Sequence, residues 1–227
     1  METCPYASAR ENEARSFLAG WSNPAAHGVK CWYCDVDNIA KGSDILLIGL
    51  SPGGDENARR LDEENDYLKL PYTKRGFNSW LDENWLGKGP KHQQAMWRVF
   101  QTMFPQDWES KLRSSACTNV FPIRTGSVDA IDSDGWAFAE TWFQKIMGHV
   151  QPKIVICNGN SNQNSAWSYL CKNFGCSLVR EIDIGAKGKV KLGSFNTGVE
   201  CKVLGLPSLS RFARESLFQA IETVGPF

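Results

Sequence analysis

Four consecutive apolar residues, Ile45 to Ile48, run straight into Gly49-Leu50-Ser51-Pro52-Gly53-Gly54, and this junction constrains the chain more than any other stretch. A short apolar run bounded by turn residues predicts a strand buried on both faces, as in a parallel sheet. The glycines permit a tight turn and leave room for a ligand beside the main chain. Ligands of open α/β sheets sit outside the carboxyl ends of such strands, so this loop is the first candidate for a functional site. No Gly-Lys-Ser/Thr follows and the Gly-x-Gly-x-x-Gly spacing is missing, which excludes the common phosphate-cradling loops.

The remaining pattern extends the same architecture. Ser115 to Phe121, Lys153 to Cys157 and Cys201 to Gly205 read as core strands, with Ser177 to Ile184 and Lys189 to Leu192 as outer ones. Apolar residues at helical spacing predict helices over Glu11 to Trp21, Phe77 to Leu86, Gln93 to Phe104, Asp134 to Val150, Gln163 to Phe174 and Arg211 to Thr223, the last capped by Ser210. The tryptophans on these helices fall on their apolar faces and read as core. Ala58 to Lys69 is rich in charge and reads as a mobile or partly helical excursion over the site. Residues 1–43 read as an N-terminal helix and Cys-containing extension packed on a core domain, 44–227. Strands alternating with helices predict one α/β domain with helices on both sheet faces.

Composition narrows the class. With 25 basic and 25 acidic side chains among 227 residues, the chain is no globally basic nucleic-acid binder, although a local basic face is compatible with it. No run reaches the roughly 18 apolar residues of a membrane helix. The start, Met1-Glu2-Thr3-Cys4-Pro5, lacks the charged and apolar regions of a signal peptide, so a soluble cytoplasmic protein is expected. Its eight cysteines then read as reduced thiols. Cys31-Trp32-Tyr33-Cys34, with Cys4 and His27 nearby, has the makings of a four-ligand zinc site. Without a second tight pair, coincidence is the better reading and no metal is expected.

Three loops then line up: Gly49 to Gly53, the strand end Thr118-Asn119-Val120, and Leu206-Pro207-Ser208-Leu209-Ser210 before the last helix. In this order and spacing they resemble the uracil-DNA glycosylase superfamily, which has a Gly-x-x-Pro-Gly or Pro-Tyr loop, an Asn-bearing strand end and a Leu-Pro-x-x-Ser loop. Ile156-Cys157-Asn158-Gly159 is similar to that family's fourth core strand. The resemblance covers Asp44 to Thr223 and implies a three-layer α/β/α fold with a central, mostly parallel sheet. It further implies a monofunctional DNA glycosylase, a monomer whose partner is DNA with a flipped-out base, working in repair or antiviral defence.

Carried over residue by residue, the resemblance makes Tyr72 of Pro71-Tyr72 the ring on which the extracted base stacks, and Asn119 the carboxamide that reads a pyrimidine edge with one donor and one acceptor. Asn119 as a strand-end cap is the structural alternative. Gly53 and Gly54 border the base. Ser208, Ser210 and Arg211, with Lys74 and Arg75, would hold the DNA backbone. The chain also departs from the family: Leu50 and Ser51 stand where branches place catalytic acids or Asn, and Ser208 where many members have histidine. A serine there is similar to the mismatch-specific thymine glycosylase branch. Iron-sulfur branches carry acids just after their Pro-Gly, which makes Asp55 first and Glu56 second the expected catalytic carboxylates; capping of the next segment's amides is the alternative. The Cys pair lacks the second pair of ligands of an iron-sulfur site. Small residues at Ser51, Gly54 and Ser208 suggest a roomy pocket, hence a modified pyrimidine such as the bulky cytosines of phage DNA. Two rival readings are a non-catalytic nucleic-acid-binding relative and a hydrolase with Ser51 as nucleophile. The hydrolase needs a histidine partner, and His27, His92 and His149 lie in no suggestive context.

Overall fold

The structure is a computed structural model that describes residues 4–85, 89–161, 163–185, 188–196, 200–212 and 214–225, without the side chains of 89, 90, 210 and 212. In chain order the elements are α1 (Pro5–Gly20), α2 (Val36–Ala40), β1 (Ile45–Gly49), α3 (Glu56–Glu64), α4 (Leu70–Thr73), α5 (Ser79–Asp82), α6 (Gly89–Met103), α7 (Trp108–Ser114), β2 (Ala116–Asn119), a 3-10 turn (Val128–Ala130), α8 (Ser133–Val150), β3 (Ile154–Asn158), α9 (Ala166–Phe174), β4 (Ser177–Gly185), β5 (Gly188–Asn196), β6 (Glu200–Leu206), α10 (Leu209–Phe212) and α11 (Glu215–Val224).

One six-stranded sheet organises them, in the order β2-β1-β3-β6-β5-β4. The first four strands pair in parallel; β5 and β4 extend the sheet as an antiparallel hairpin. Ile45 to Ile48 are buried, as expected of a strand covered on both faces. The covering helices form two groups. One gathers α1, α2 and α8, joined to α9 through the edge-to-face contact of Phe143 and Tyr169. The other gathers α5, α7, α10 and α11 on α6. The molecule is an α/β protein with a mixed, mostly parallel sheet, consistent with three layers. Among the described residues, no helix is long and apolar enough to cross a membrane.

Several elements differ from the sequence reading, each for a local reason. Helix α1 begins at Pro5, because the Cys4 thiol accepts the Ala7 N–H and Pro5 fits the first helical turn. The predicted helix Phe77 to Leu86 contracts to Ser79–Asp82, capped by Asn78; Leu86 lies outside the described residues. The charged excursion carries a regular helix, α3, capped by Asp55. The closing helix is broken into α10 and α11, so Ser210 falls inside α10 rather than before the helix; its side chain lies outside the described residues. The described residues 4–43 pack on the same core as the rest of the chain: Trp32 bridges Thr118, Val29 bridges Ile123, and the Trp142 indole N–H donates to the Arg10 carbonyl at 3.0 Å.

Phe143 is fully buried between α8 and α9, and its ring meets both Tyr169 and Phe174 edge-on. Phe143→Ala removes this packing and leaves a cavity, at a cost of about 3–5 kcal/mol. Urea unfolding checks this: a midpoint close to that of the parent chain would show that α8 and α9 do not pack through this ring.

Candidate active site

Parallel pairing brings the strand ends level. Gly49 stands opposite Asn119, Ile48 opposite Cys157 and Asn158 opposite Leu206, so the carboxyl ends of β2, β1, β3 and β6 form one rim. Over this rim lies a cavity of about 700 Å³. Gly49 is required by close approach: a Cβ there would come within 2.4 Å of Asn119 Oδ1. Gly54 turns at φ +95°, where a side chain would be strained and would also strike Ala58.

Two donors in the cavity wall are buried and unpaired. Asn119 is only 6 % exposed, and its Nδ2 completes no hydrogen bond of ordinary geometry with a described residue. The Trp85 indole N–H is likewise without a partner among the described residues. The Tyr33 hydroxyl lies beside the Asn119 carboxamide; burial pushes its pKa up, against the pull of Lys30, so it stays protonated. An orphaned buried donor costs about 1–3 kcal/mol. A ligand bringing acceptor atoms would relieve that cost, which identifies the chemistry this wall can receive.

A buried charge network closes one side. Arg124 donates to the Gly53 carbonyl and to the Asp62 carboxylate. Lys30 Nζ lies 3.1 Å from Asp62 and 3.1 Å from Glu83. Two cations thus face two carboxylates, tying the glycine loop and α3 to the N-terminal segment and the end of α5. Burial alone would push Lys30 down, but Glu83, Tyr33 and Asp62 outweigh it and hold its pKa above the ordinary lysine value.

Opposite Asn119, the Asn158 amide donates to His92 Nε2 at 2.9 Å. The imidazole meets Trp80 and Trp85 edge-on, at 5.1 and 5.8 Å between centroids. Burial pushes its pKa below the ordinary histidine value, so the ring is neutral at pH 7.

The expected site residues divide into two sets. Ser51, Gly53, Gly54 and Asn119 meet in the cavity wall. Tyr72 does not: its hydroxyl donates to Glu11 and accepts the Trp32 indole N–H at 2.8 Å, which turns it toward α1. Asp55 is also outside the wall. Its carboxylate caps α3 by accepting the N–H groups of Asn57 and Ala58, and the Ala58 N–H above all holds its pKa below the usual range. Glu56 is exposed and pairs with Arg59 at 2.5 Å. Ser208, exposed Lys74 and exposed Arg211 do not line the cavity either, and the Ser210 side chain lies outside the described residues. Arg75 is drawn aside by Asp37 at 2.6 Å.

The four residues of the zinc alternative have other surroundings. Among the described residues, no group of three or more His, Cys, Asp or Glu can hold a metal ion. Cys4 is spent on capping α1, and Cys34 accepts the Cys117 N–H at 3.0 Å. Cys31 is buried, and the His27 ring faces Glu56 at 4.0 Å.

Sequence reasoning missed Lys30, Tyr33, His92, Arg124, Asn158 and the indoles of Trp80 and Trp85 as wall residues. Asn158 carried a usable signal, since it ends a core strand just as Asn119 does. Neither family models nor curated proteins yield a match to this chain.

The charge network predicts a specific instability. Asp62→Asn leaves Lys30 and Arg124 short of a buried carboxylate, and the unfolding free energy should drop by about 3–5 kcal/mol. In the parent chain, Lys30 has a raised folded pKa, so its contribution is complete below the unfolded lysine value of about 10.4 and is lost as pH rises through the folded value. Denaturant titrations at neutral and alkaline pH test both statements. An Asp62→Asn midpoint equal to the parent's would refute the network.

Proposed function

We propose that this chain is a DNA glycosylase that takes a flipped-out pyrimidine nucleotide into the cavity and hydrolyses its N-glycosidic bond. The observation that carries this reading is the buried Asn119 carboxamide at a strand end beside the glycine loop, whose Nδ2 completes no hydrogen bond of ordinary geometry with a described residue and whose near neighbour is the Tyr33 hydroxyl. An amide in that setting can read a pyrimidine edge through one donor and one acceptor. The target must leave the stack to reach it. The loop order that resembles the uracil-DNA glycosylase superfamily supports the same reading.

The cavity, at about 700 Å³, falls in the ~300–1,000 Å³ range of pockets for drug-sized ligands and exceeds what a bare pyrimidine needs. This favours a substituted base, such as a bulky modified cytosine. The rim in which Asn119, Gly49 and Asn158 stand level would hold the nucleotide across three strands. The expected partner is DNA bound by a monomer.

One observation favours a second reading. No Asp or Glu lines the cavity among the described residues, so the carboxylate expected to stabilise the sugar cation is missing from the wall. A nucleic-acid-binding relative without chemistry would have this property. The Ser51 hydrolase gains nothing, because His92 Nε2 is engaged by Asn158.

Duplexes holding uracil, mismatched thymine or substituted cytosines, probed for abasic sites, decide between these readings. Excision is expected, strongest for a substituted base, and Asn119→Ala should lower it about 10²–10³-fold, as loss of one preorganised donor does elsewhere. Salt-sensitive DNA binding without abasic product would establish the second reading instead. Tyr72→Phe serves as a control: it should lower stability by about 1.5–3 kcal/mol through the lost bond to Glu11, yet leave excision unchanged. A large loss of excision in Tyr72→Phe would return that ring to the site.

A further inference from the structure

We propose that a second hollow, between α8 and α9, binds a nucleobase of the same DNA strand whose flipped nucleotide enters the main cavity, stacking that base on Trp136. The choice of strand rests on the base-excision reading, but the binding can be measured without any excision. The hollow has a volume of about 680 Å³, and Trp136, Glu140, Asn164, Tyr169 and Lys172 are among the residues that line it.

Tyr169 is the group that points to a ligand. It is only 7 % exposed, yet its hydroxyl completes no hydrogen bond with a described residue. Burial, with the Glu140 carboxylate adding to it, pushes the phenol pKa up, so the group keeps its proton at neutral pH. Glu140 itself lines the hollow, which puts the hydroxyl on that side of the helix pair. A buried O–H without an acceptor is costly, and a ligand acceptor would satisfy it.

The neighbours of Tyr169 define the ligand's chemistry. The Trp136 ring stacks on it, 6.5 Å between centroids with 23° between the planes, and is itself only half-buried. An aromatic face of this kind accepts any base, because every base has a π-face. A base edge carries both an acceptor, for the Tyr169 O–H, and a donor, for the exposed Glu140 carboxylate. Lys172 is exposed and forms no ion pair with a described residue, which suits it to a backbone phosphate. The place of the hollow selects the strand. Val128 lines the main cavity, and Asp129, next to it in the 3-10 turn, accepts the Asn164 amide N–H at 3.2 Å. One turn of chain separates the two hollows, so a strand with a nucleotide in the first passes the second.

The test follows, by fluorescence anisotropy on the full-length chain, two dye-labelled single strands of equal length, one with natural bases and one of abasic deoxyribose phosphates. Trp136→Leu should weaken binding of the base-bearing strand about 5–150-fold, the range for losing one base–aromatic stack, and leave the abasic strand unchanged. Trp136→Phe, which keeps a ring, should recover most of that loss. Tyr169→Phe should weaken the base-bearing strand about 2–10-fold without lowering the urea midpoint, since the hydroxyl has no partner to lose. A lowered midpoint in Tyr169→Phe would show that hydroxyl bonded in the free protein and would overturn the proposal. This variant decides the matter even if Trp136→Leu fails to fold. Equal losses on both strands, or no loss on either, overturn it too. Deoxyadenosine monophosphate as competitor separates the sources of the base: displacement of the strand at equal concentrations would assign the hollow to free nucleotides, against the proposal. Excision by the parent with no Trp136 effect removes this proposal alone. Trp136-dependent binding by a parent that excises nothing leaves a nucleobase site and removes only the base-excision reading.

Discussion

The in-register parallel pairing of β2, β1, β3 and β6 is the constraint on which the rest of the molecule depends. Because Gly49 is level with Asn119 and Asn158 with Leu206, four chain reversals leave the sheet along one rim. A slip of one residue would turn every side chain of a strand to its other face. Asn119 would then point into a helix layer, and its carboxamide would lose its place beside Gly49. The register is held by apolar residues buried on both faces of the central strands, which makes any alternative costly.

What lies above the rim is built differently. Instead of apolar packing, one wall of the cavity is a neutral set of buried charges, two cations against two carboxylates, and another carries donors without partners. Both are expensive to maintain in a folded protein unless they are paired or serve a ligand. The charges are paired, which explains how the glycine loop, α3 and the N-terminal segment can meet around a hollow. The donors are not, and a ligand bringing acceptor atoms would satisfy them.

Much of the scaffold was legible in the chain. The strand at Ile45, the unit from Lys153 to Phe174 and the apolar faces of α6 and α8 follow from periodicity, because each buries a simple pattern. Helix α1 was read short because a thiol is an unusual cap, and α2 and α7 were missed because each is too short for periodicity to register. The site was legible only where it coincides with strand ends. Ser51, Gly53, Gly54 and Asn119 sit directly after β1 or at the end of β2, so reading the strands located them. Tyr72 and Asp55 were misplaced because proximity in sequence to the loop does not say which way a side chain turns. Glu11 and Trp32 claim the tyrosine, and the amides of α3 claim the acid.

By itself, then, the sequence determined that a parallel sheet would form, where its central strands end, and that an asparagine and a glycine-rich turn would stand at those ends. Local propensity and the pattern of burial suffice for that. Tertiary structure alone decided that Lys30, Tyr33, His92 and Arg124 complete the cavity, and that the carboxylates beside the loop stay out of it. Those residues are joined by ion pairs and hydrogen bonds between elements far apart in the chain, such as Asn158 with His92 and Arg124 with Asp62. Such contacts leave no period or spacing in the sequence, because they exist only once the sheet has fixed where each loop emerges.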